Sequence, residues 1–374
     1  MMRPQHSRKC LLGILAALAV LAGGNSCTKR YITDPVADSI YLGRIPYTIQ
    51  NNYTYTNFYS ALQQTGWLDT LYGPGPYTVL LANNDAYLDY YRSFTAGDVG
   101  TLGTYVAAQI NNGMSLRASV GYDLVKGQVS FRSMPLGMNQ VLTSVTGSPV
   151  FVTRYLSGGD TLTTVDGEQV ISEDNPATNG LIQVISTAVP NFVVYPTVMQ
   201  QIESDTNLTY FATALHRCGL DTLLDGAGPY TVLAPYNGAF QSTYNGSIPN
   251  LSSLDSIGAA DPVKLAAVLR YNILPGRYYV NDFMRLLTTD TLNLTMLNGE
   301  AMKFTNTYYP YSPILFLGGY EQPTFNGNGN LLAGLAGATI YDESNFTQAY
   351  YYRNGGDLTT GNGVVQTTSG LLIP

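Results

Sequence analysis

Gly219-Leu220-Asp221-Thr222-Leu223-Leu224-Asp225-Gly226-Ala227-Gly228-Pro229-Tyr230-Thr231-Val232-Leu233-Ala234-Pro235 has a twin earlier in the chain, Gly66-Trp67-Leu68-Asp69-Thr70-Leu71-Tyr72-Gly73-Pro74-Gly75-Pro76-Tyr77-Thr78-Val79-Leu80-Leu81-Ala82. Gly75–Leu80 and Gly228–Leu233 are the same hexapeptide, 153 positions apart. A period of that size is a whole domain, so the chain reads as one fold built twice and not as a solenoid.

Working outward, each copy opens with a helix. Leu208, Phe211, Ala212 and Leu215 fall at i, i+3, i+4 and i+7, the spacing of a core-facing stripe. Tyr55, Phe58, Tyr59 and Leu62 repeat it in the first copy. Asn207 is expected to cap the second helix, and Gly66 and Gly219 to end the two. Tyr230–Ala234 reads as a buried strand. Asp261-Pro262 starts another helix, with Asp as N-cap and Pro at N1, and turns Leu265, Val268 and Leu269 inward.

The copies also end alike, with Thr178-Asn179-Gly180-Leu181-Ile182 up to Pro190 and Gly361-Asn362-Gly363-Val364-Val365 up to Pro374. The offset there is 184, so about 31 extra residues fall within the second copy. Their expected place is between Lys303 and Asp357, where Tyr308-Tyr309-Pro310-Tyr311, Asn326–Asn330 and Tyr350-Tyr351-Tyr352 cluster.

Ahead of the repeats, Arg3, Arg8 and Lys9 precede an apolar run from Leu11 to Ala22 and then Gly23-Gly24-Asn25-Ser26-Cys27. That reads as a secretory signal, too short to span a bilayer. Ser26-Cys27 resembles the lipobox of bacterial lipoproteins, which implies cleavage after residue 26 and acylation of Cys27. Plain signal cleavage nearby is the alternative. Two or more acyl chains hold a protein stably on a membrane. Residues 1–26 are thus expected to be a signal peptide and 27–37 a tether, for an exported chain anchored in the cell envelope at the outer membrane.

Losing residues 1–26 leaves 15 of the 18 basic residues against 25 acidic ones. An acidic chain with no basic run beyond Lys29-Arg30 is not built for nucleic acid or anionic lipid, both of which require a positive face. Charged residues are only 11 %, while apolar ones reach 45 %. The surface must therefore be covered with hydroxyls and amides, and there is material for two cores. With Cys10 removed and Cys27 acylated, Cys218 stands alone and is expected as a buried thiol in a packing-stabilised chain.

These pieces together resemble the fasciclin domain: a helix, Leu-Asp-Thr-Leu, a Gly-Pro-Tyr-Thr-Val-Leu strand, and a closing Asn-Gly-hydrophobic strand that ends in Leu-x-Pro. The resemblance covers about residues 38–190 and 195–374. It implies an α+β fold of two modules, each a twisted β-sandwich or wedge flanked by helices. It also implies extracellular adhesion. Tyr271-Asn272-Ile273-Leu274-Pro275-Gly276 resembles the family's Tyr-His segment, with Asn272 where a histidine is usual. In the first copy the corresponding stretch is placed at Tyr105–Gly113.

No catalytic set is expected. The mature chain has one histidine, His216, read as a helix-end cation. Positions i and i+2 of a helix point about 200° apart, so His216 and Cys218 do not form a dyad. Metal sites need several His or Cys ligands. Glu173-Asp174 and Asp342-Glu343 match no calcium-loop spacing and read as turn residues, and Gly327-Asn328-Gly329 as a flexible turn lacking a phosphate-binding lysine. No cofactor is expected. What remains is the tyrosines, rigid amphipathic contact groups. The candidate binding surface is Tyr271 and Asn272 together with Tyr308, Tyr309, Tyr311 and Tyr351 of the inserted stretch, about 304–356. The reading is a non-catalytic adhesion or binding lipoprotein for a protein or polysaccharide at the cell surface, with a glycan-capturing lipoprotein of a nutrient uptake system as the alternative.

Overall fold

The structure, a computed structural model, describes residues 42–84, 116–157, 159–185, 195–242, 251–287, 291–309, 320–326, 337–339 and 357–374. Residues 43–374 form one compact unit. Its first repeat runs α1 (Ile45–Gln50), α2 (Thr56–Thr65), α3 (Trp67–Leu71), β1 (Tyr77–Ala82), α4 (Leu116–Tyr122), β2 (Leu124–Lys126), β3 (Gly137–Thr143), β4 (Pro149–Ser157), β5 (Asp160–Val165), β6 (Glu168–Ala177) and β7 (Gly180–Ile185). The second runs α5 (Val198–Ser204), α6 (Thr209–Cys218), α7 (Asp221–Leu224), β8 (Tyr230–Pro235), α8 (Asn237–Ser242), α9 (Leu254–Ala259), α10 (Pro262–Arg270), β9 (Ile273–Pro275), α11 (Val280–Leu286), β10 (Leu292–Thr295), β11 (Ala301–Tyr309), β12 (Tyr320–Asn326), β13 (Gly337–Thr339), β14 (Leu358–Thr360) and β15 (Gly363–Thr368). The architecture is mixed α+β, curled sheets flanked by helices.

The helices form where their apolar stripes demand. Phe58, Ala61 and Leu62 of α2 are buried, as are Phe211, Ala212 and Leu215 of α6. Leu208 is buried just ahead of α6. Gly66 and Gly219 take left-handed φ of 73° and 71° and end the two helices. Beyond Gly219, the Leu220 N–H reaches back to the Leu215 carbonyl at 3.0 Å. Asn207 is not the cap. A 3₁₀ turn, Thr206–Leu208, precedes α6, and Asp205 accepts the Asn207 N–H at 2.8 Å. Asp205 caps that turn, and the Tyr210 N–H at the start of α6 is taken by Asn237 Oδ1 at 2.9 Å. At α10 Asp261 accepts the N–H groups of Val263 and Lys264, with Pro262 at N1. Leu265 and Leu269 are buried there and Val268 is partly buried.

The duplicated hexapeptides become β1 and β8, both buried after their first residue. Each lies parallel to the closing strand of its repeat, Tyr77 opposite Gly180 and Tyr230 opposite Gly363. A Cβ on either glycine would collide with the facing tyrosine carbonyl. In the first repeat the strands join one seven-stranded sheet, β2-β1-β7-β6-β5-β4-β3. In the second they form two four-stranded sheets, β14-β15-β8-β9 and β10-β11-β12-β13.

The duplication extends to hydrogen bonds between side chain and backbone. Asn179 accepts the Ile45 N–H at 2.9 Å and donates to the carbonyls of Leu71 (2.7 Å) and Gly73 (2.9 Å). Asn362 accepts the Val198 N–H at 2.7 Å and donates to Leu224 (2.8 Å) and Gly226 (2.7 Å). One buried amide thus satisfies the unpaired groups at the start of one helix and the end of another. Asp174 and Asp357, at φ 58° and 52°, accept the N–H groups of Phe131 and Val280, each at 2.9 Å. Each donates its own N–H to a glutamine on the closing strand, Gln183 or Gln366, at 2.7 Å.

Candidate functional site at the junction of the repeats

The Tyr271–Asn272 segment lies where α10 gives way to β9. Both side chains are fully buried. Tyr271 donates its hydroxyl to the Ala301 carbonyl at 2.9 Å. Asn272 donates to the carbonyls of Val268 and Leu372 at 3.0 and 2.9 Å and accepts the Leu372 N–H at 3.0 Å. It clasps the end of the chain to the helix. These two residues are packing and tethering groups, which corrects their placement on a surface. Tyr308 and Tyr309 belong to β11, whereas Tyr311, Tyr351, Cys27, Asp342-Glu343 and Gly327–Gly329 lie outside the described residues.

The counterpart in the first repeat is also corrected, from Tyr105–Gly113 to Tyr122-Asp123. The Leu80 N–H bonds the Asp123 carbonyl at 2.8 Å, as the Leu233 N–H bonds that of Asn272 at 2.8 Å. The Tyr122 hydroxyl lies 2.9 Å from the Pro149 carbonyl, matching Tyr271 and Ala301. Where the second repeat has a neutral amide, the first buries a carboxyl. Burial, then the charge of Asp166, push Asp123 well above the usual carboxylate range.

Asp166 is the centre of the junction. It forms with Gly167 the two-residue turn between β5 and β6, at φ 48° and 87°, the backbone that Asp-Gly hairpins favour. Its carboxylate receives Tyr122 Oη at 2.8 Å and the Phe151 N–H at 3.1 Å from its own repeat, and Tyr279 Oη at 3.2 Å from the other. Burial pushes Asp166 up to about 6, against the pull of those donors and of the Arg277 charge. Gly167 has Tyr279 pressed on it, at 2.7 Å from where a Cβ would stand. Asn281 donates to the Gly167 carbonyl at 2.7 Å and Asn139 to the Arg277 carbonyl at 2.9 Å.

Arg277, 4 % exposed, stacks over Phe151 at 3.6 Å. Its fork is filled by the carbonyls of Thr360 (2.9 Å), Gly361 (3.0 Å) and Gly363 (2.6 Å). Phe151, Tyr279 and Val364 make a small apolar cluster across the junction. Behind them Asp282 accepts the Tyr279 N–H at 2.9 Å, and burial pushes it up to about 7. The junction is held by buried polar groups, most of them hydrogen-bonded although Asn139 Oδ1 is not, and by a guanidinium stacked on a ring.

Elsewhere the titratable residues have structural partners. His216 lies 2.8 Å from Glu203 and 3.0 Å from Asp221. Partial burial lowers it, but hydrogen bonds to Glu203 and Asp221 raise it further, for a net rise. Asp174 is the reverse. Burial raises it, while hydrogen bonds from Ser130, Gln183 and the Phe131 and Arg132 N–H groups bring it below its ordinary value. Cys218 is half-buried and its thiol raised by burial. It borders an open groove with Val263, Ala266, Ala267, Arg270 and Leu297. Among the described residues no three His, Cys, Asp or Glu side chains gather to hold a metal, and no helix is long and apolar enough to cross a membrane.

The fasciclin-domain family model matches residues 53–189 and 206–320, more than half of the chain. The chain belongs to the fasciclin-domain family. Among similar proteins, transforming growth factor-beta-induced protein ig-h3 of Sus scrofa is 29 % identical over 226 residues, 60 % of this chain and 30 % of that one. Stabilin-1 of Mus musculus is 40 % identical over 77 residues, 21 % of this chain and 3 % of that one. The chain spans about a third of the length of the ig-h3 relatives it matches and far less of stabilin-1. The structure also resembles a FAS1 domain pair from the insect cell adhesion molecule fasciclin I, at 15 % identity and a TM-score of 0.35, over 86 % of this chain and 97 % of that one.

The junction between the two fasciclin domains is not legible in the sequence. Asp166-Gly167 between two alternating strands is readable as a hairpin turn. That the turn meets the other domain is a matter of tertiary placement.

Proposed function

We propose that the protein is a non-catalytic adhesion or binding lipoprotein of the cell envelope. Two fasciclin domains, about residues 38–190 and 195–374, present a composite surface, and acylated Cys27 tethers them to the outer membrane. The observation that carries the reading is the duplicated fasciclin domain itself, whose buried polar side chains serve backbone and junction. Asn179, Asn362, Gln183, Gln366, Asn272 and Arg277 all spend their hydrogen bonds inside the protein. The ligand surface is assigned to the tyrosine-rich stretch of the second domain, including Tyr308, Tyr309, Tyr311 and Tyr351, where long insertions carry binding groups. The ligand is a protein or polysaccharide of the cell surface.

Two measurements test this. Metabolic labelling with palmitate should mark the wild-type chain and not Cys27→Ala; an unlabelled wild type removes the anchor. Cells displaying the protein should adhere to one another or to a coated surface, and lose that on joint replacement of Tyr308, Tyr309, Tyr311 and Tyr351 by serine, which leaves the buried Phe304 and Phe325 in place. Adhesion unchanged by both that replacement and deletion of the whole chain would end the reading.

A further inference from the structure

The two domains touch through a carboxyl group that each helps to enclose. Asp166 is 5 % exposed. Tyr122 and the Phe151 N–H hold it from the first domain, while Tyr279 holds it and Arg277 faces it from the second. Tyr279 and Gly167 pack so closely that the domains cannot part without uncovering this group. We propose that the junction is a proton-operated clasp centred on Asp166, tightened by mild acid and eased at neutral and alkaline pH.

The direction follows from linkage. Closed, the carboxyl is buried and titrates at about 6. Opened, it meets water and keeps Tyr122 and the Phe151 N–H, donors that hold an aspartate at or below its free value near 3.9. The closed form therefore binds the proton more tightly, and closure gains from acid. That gain is complete below the open-state value and is lost as pH rises through about 6. Between pH 8 and pH 5 the closing equilibrium should strengthen about tenfold.

The neighbours leave this sign intact. From the first domain, Tyr122 and Asp123 face Asp166, and Glu168 follows it in the hairpin. From the second come Tyr279 and Arg277, with Asp357 acting on Tyr279. Both tyrosines are raised well above their ordinary range, so they stay neutral. Asp357 is engaged by Val280 and Gln366. Asp123 is raised by burial and by Asp166 itself, and its proton affinity has the same sign. Asp282 also takes up a proton in mild acid, but it lies behind Tyr279 and accepts a bond within its own domain. It serves as the control.

The test is hydroxyl-radical footprinting of the full chain from pH 5 to 8. Phe151 and Tyr279, 6 % and 1 % exposed, report opening, and Tyr53, 85 % exposed, normalises the dose. Wild-type oxidation at Phe151 and Tyr279 should rise about tenfold from pH 5 to pH 8. Asp166→Asn should lose most of that rise, and Asp282→Asn should keep it. A flat wild type, or an undiminished rise in Asp166→Asn, overturns the clasp. If Asp166→Asn does not fold, Tyr279→Phe decides. Loss of one donor to the anion should move the midpoint seen at Phe151 to higher pH, and an unmoved midpoint overturns the proposal.

Discussion

The two domains agree where a backbone end must be satisfied and differ where they meet. Asn179 and Asn362 make the same three bonds to the same three kinds of partner. The Asp174–Gln183 and Asp357–Gln366 pairs agree as closely. Tyr122 and Tyr271 reach equivalent carbonyls, yet Tyr122 also touches Asp166, and the residues after them are a buried acid and a buried amide. Orphaned backbone groups leave few side chains able to serve them, so those positions repeat. The face turned to a neighbour has no such requirement. It has become a hairpin turn on one side and an arginine–tyrosine wedge on the other.

Removing the shared amides is the hardest blow to that symmetry. Asn179→Ala and Asn362→Ala each strand one buried N–H, one buried carbonyl and one partly buried carbonyl, at about 1–3 kcal/mol per group before relaxation. A loss of about 3–5 kcal/mol each is expected, read by urea denaturation. Similar losses uphold equivalence; a cost below about 1 kcal/mol for one and several for the other breaks it. Arg277→Ala comes next, at about 3 kcal/mol, because the Thr360 and Gly361 carbonyls lose their guanidinium donor, the Gly363 carbonyl keeps only the Thr360 hydroxyl, and Phe151 loses its stacked cation. Among the described residues the first domain holds no counterpart of that contact, so the loss should appear as separation of the two unfolding transitions.

A swap at the Asp123/Asn272 pair sharpens the difference. Asn272→Asp aims a carboxylate at the Val268 and Leu372 carbonyls, to which the amide now donates. It should cost about 2–3 kcal/mol at pH 7 and less in acid. Asp123→Asn should do the opposite. A carboxyl raised in the folded chain contributes stability that is present below its unfolded value and lost as pH rises through the folded one. The wild type should therefore decline in Tm between pH 4 and pH 8 more steeply than Asp123→Asn. Equal slopes would mean that Asp123 is not charged in the way its burial implies.

Much of each domain was legible from local chemistry. The stripes at Phe58 and Phe211, the stops at Gly66 and Gly219, the Asp261-Pro262 start and the buried β1 and β8 each rest on spacing over a few residues. Asn207 is not the cap because it lies inside a 3₁₀ turn capped by Asp205, and the Tyr210 N–H is met by Asn237, 27 positions on, which residue preference does not reveal. The partner of Tyr271 was misplaced because the offset drifts from 153 to 149 before Tyr122, with no repeated motif to mark the slip. Tyr271 and Asn272 looked like surface groups because Tyr and Asn often are. Their burial depends on β9 and the chain end closing over them, which no window of sequence contains. The Arg277–Phe151 stack joins residues more than a hundred positions apart.

The least effect should come from the charge cluster found in the second domain, Glu203, His216 and Asp221. All three side chains are substantially exposed, so screening and side-chain entropy leave little net energy in the contacts. His216→Gln should therefore cost less than about 1 kcal/mol at pH 6. Its sign with pH is fixed by the raised value of the histidine. The contribution is complete below about 6.5, the value of a free histidine, and disappears as pH climbs through the higher folded value. Wild type and variant should then coincide in Tm above pH 8 and separate by a degree or two at pH 6, a gap that 0.5 M salt should shrink. A larger gap at high pH than at low would mean that His216 acts through packing, and that this corner of the second domain is a structural contact and not a solvated charge cluster.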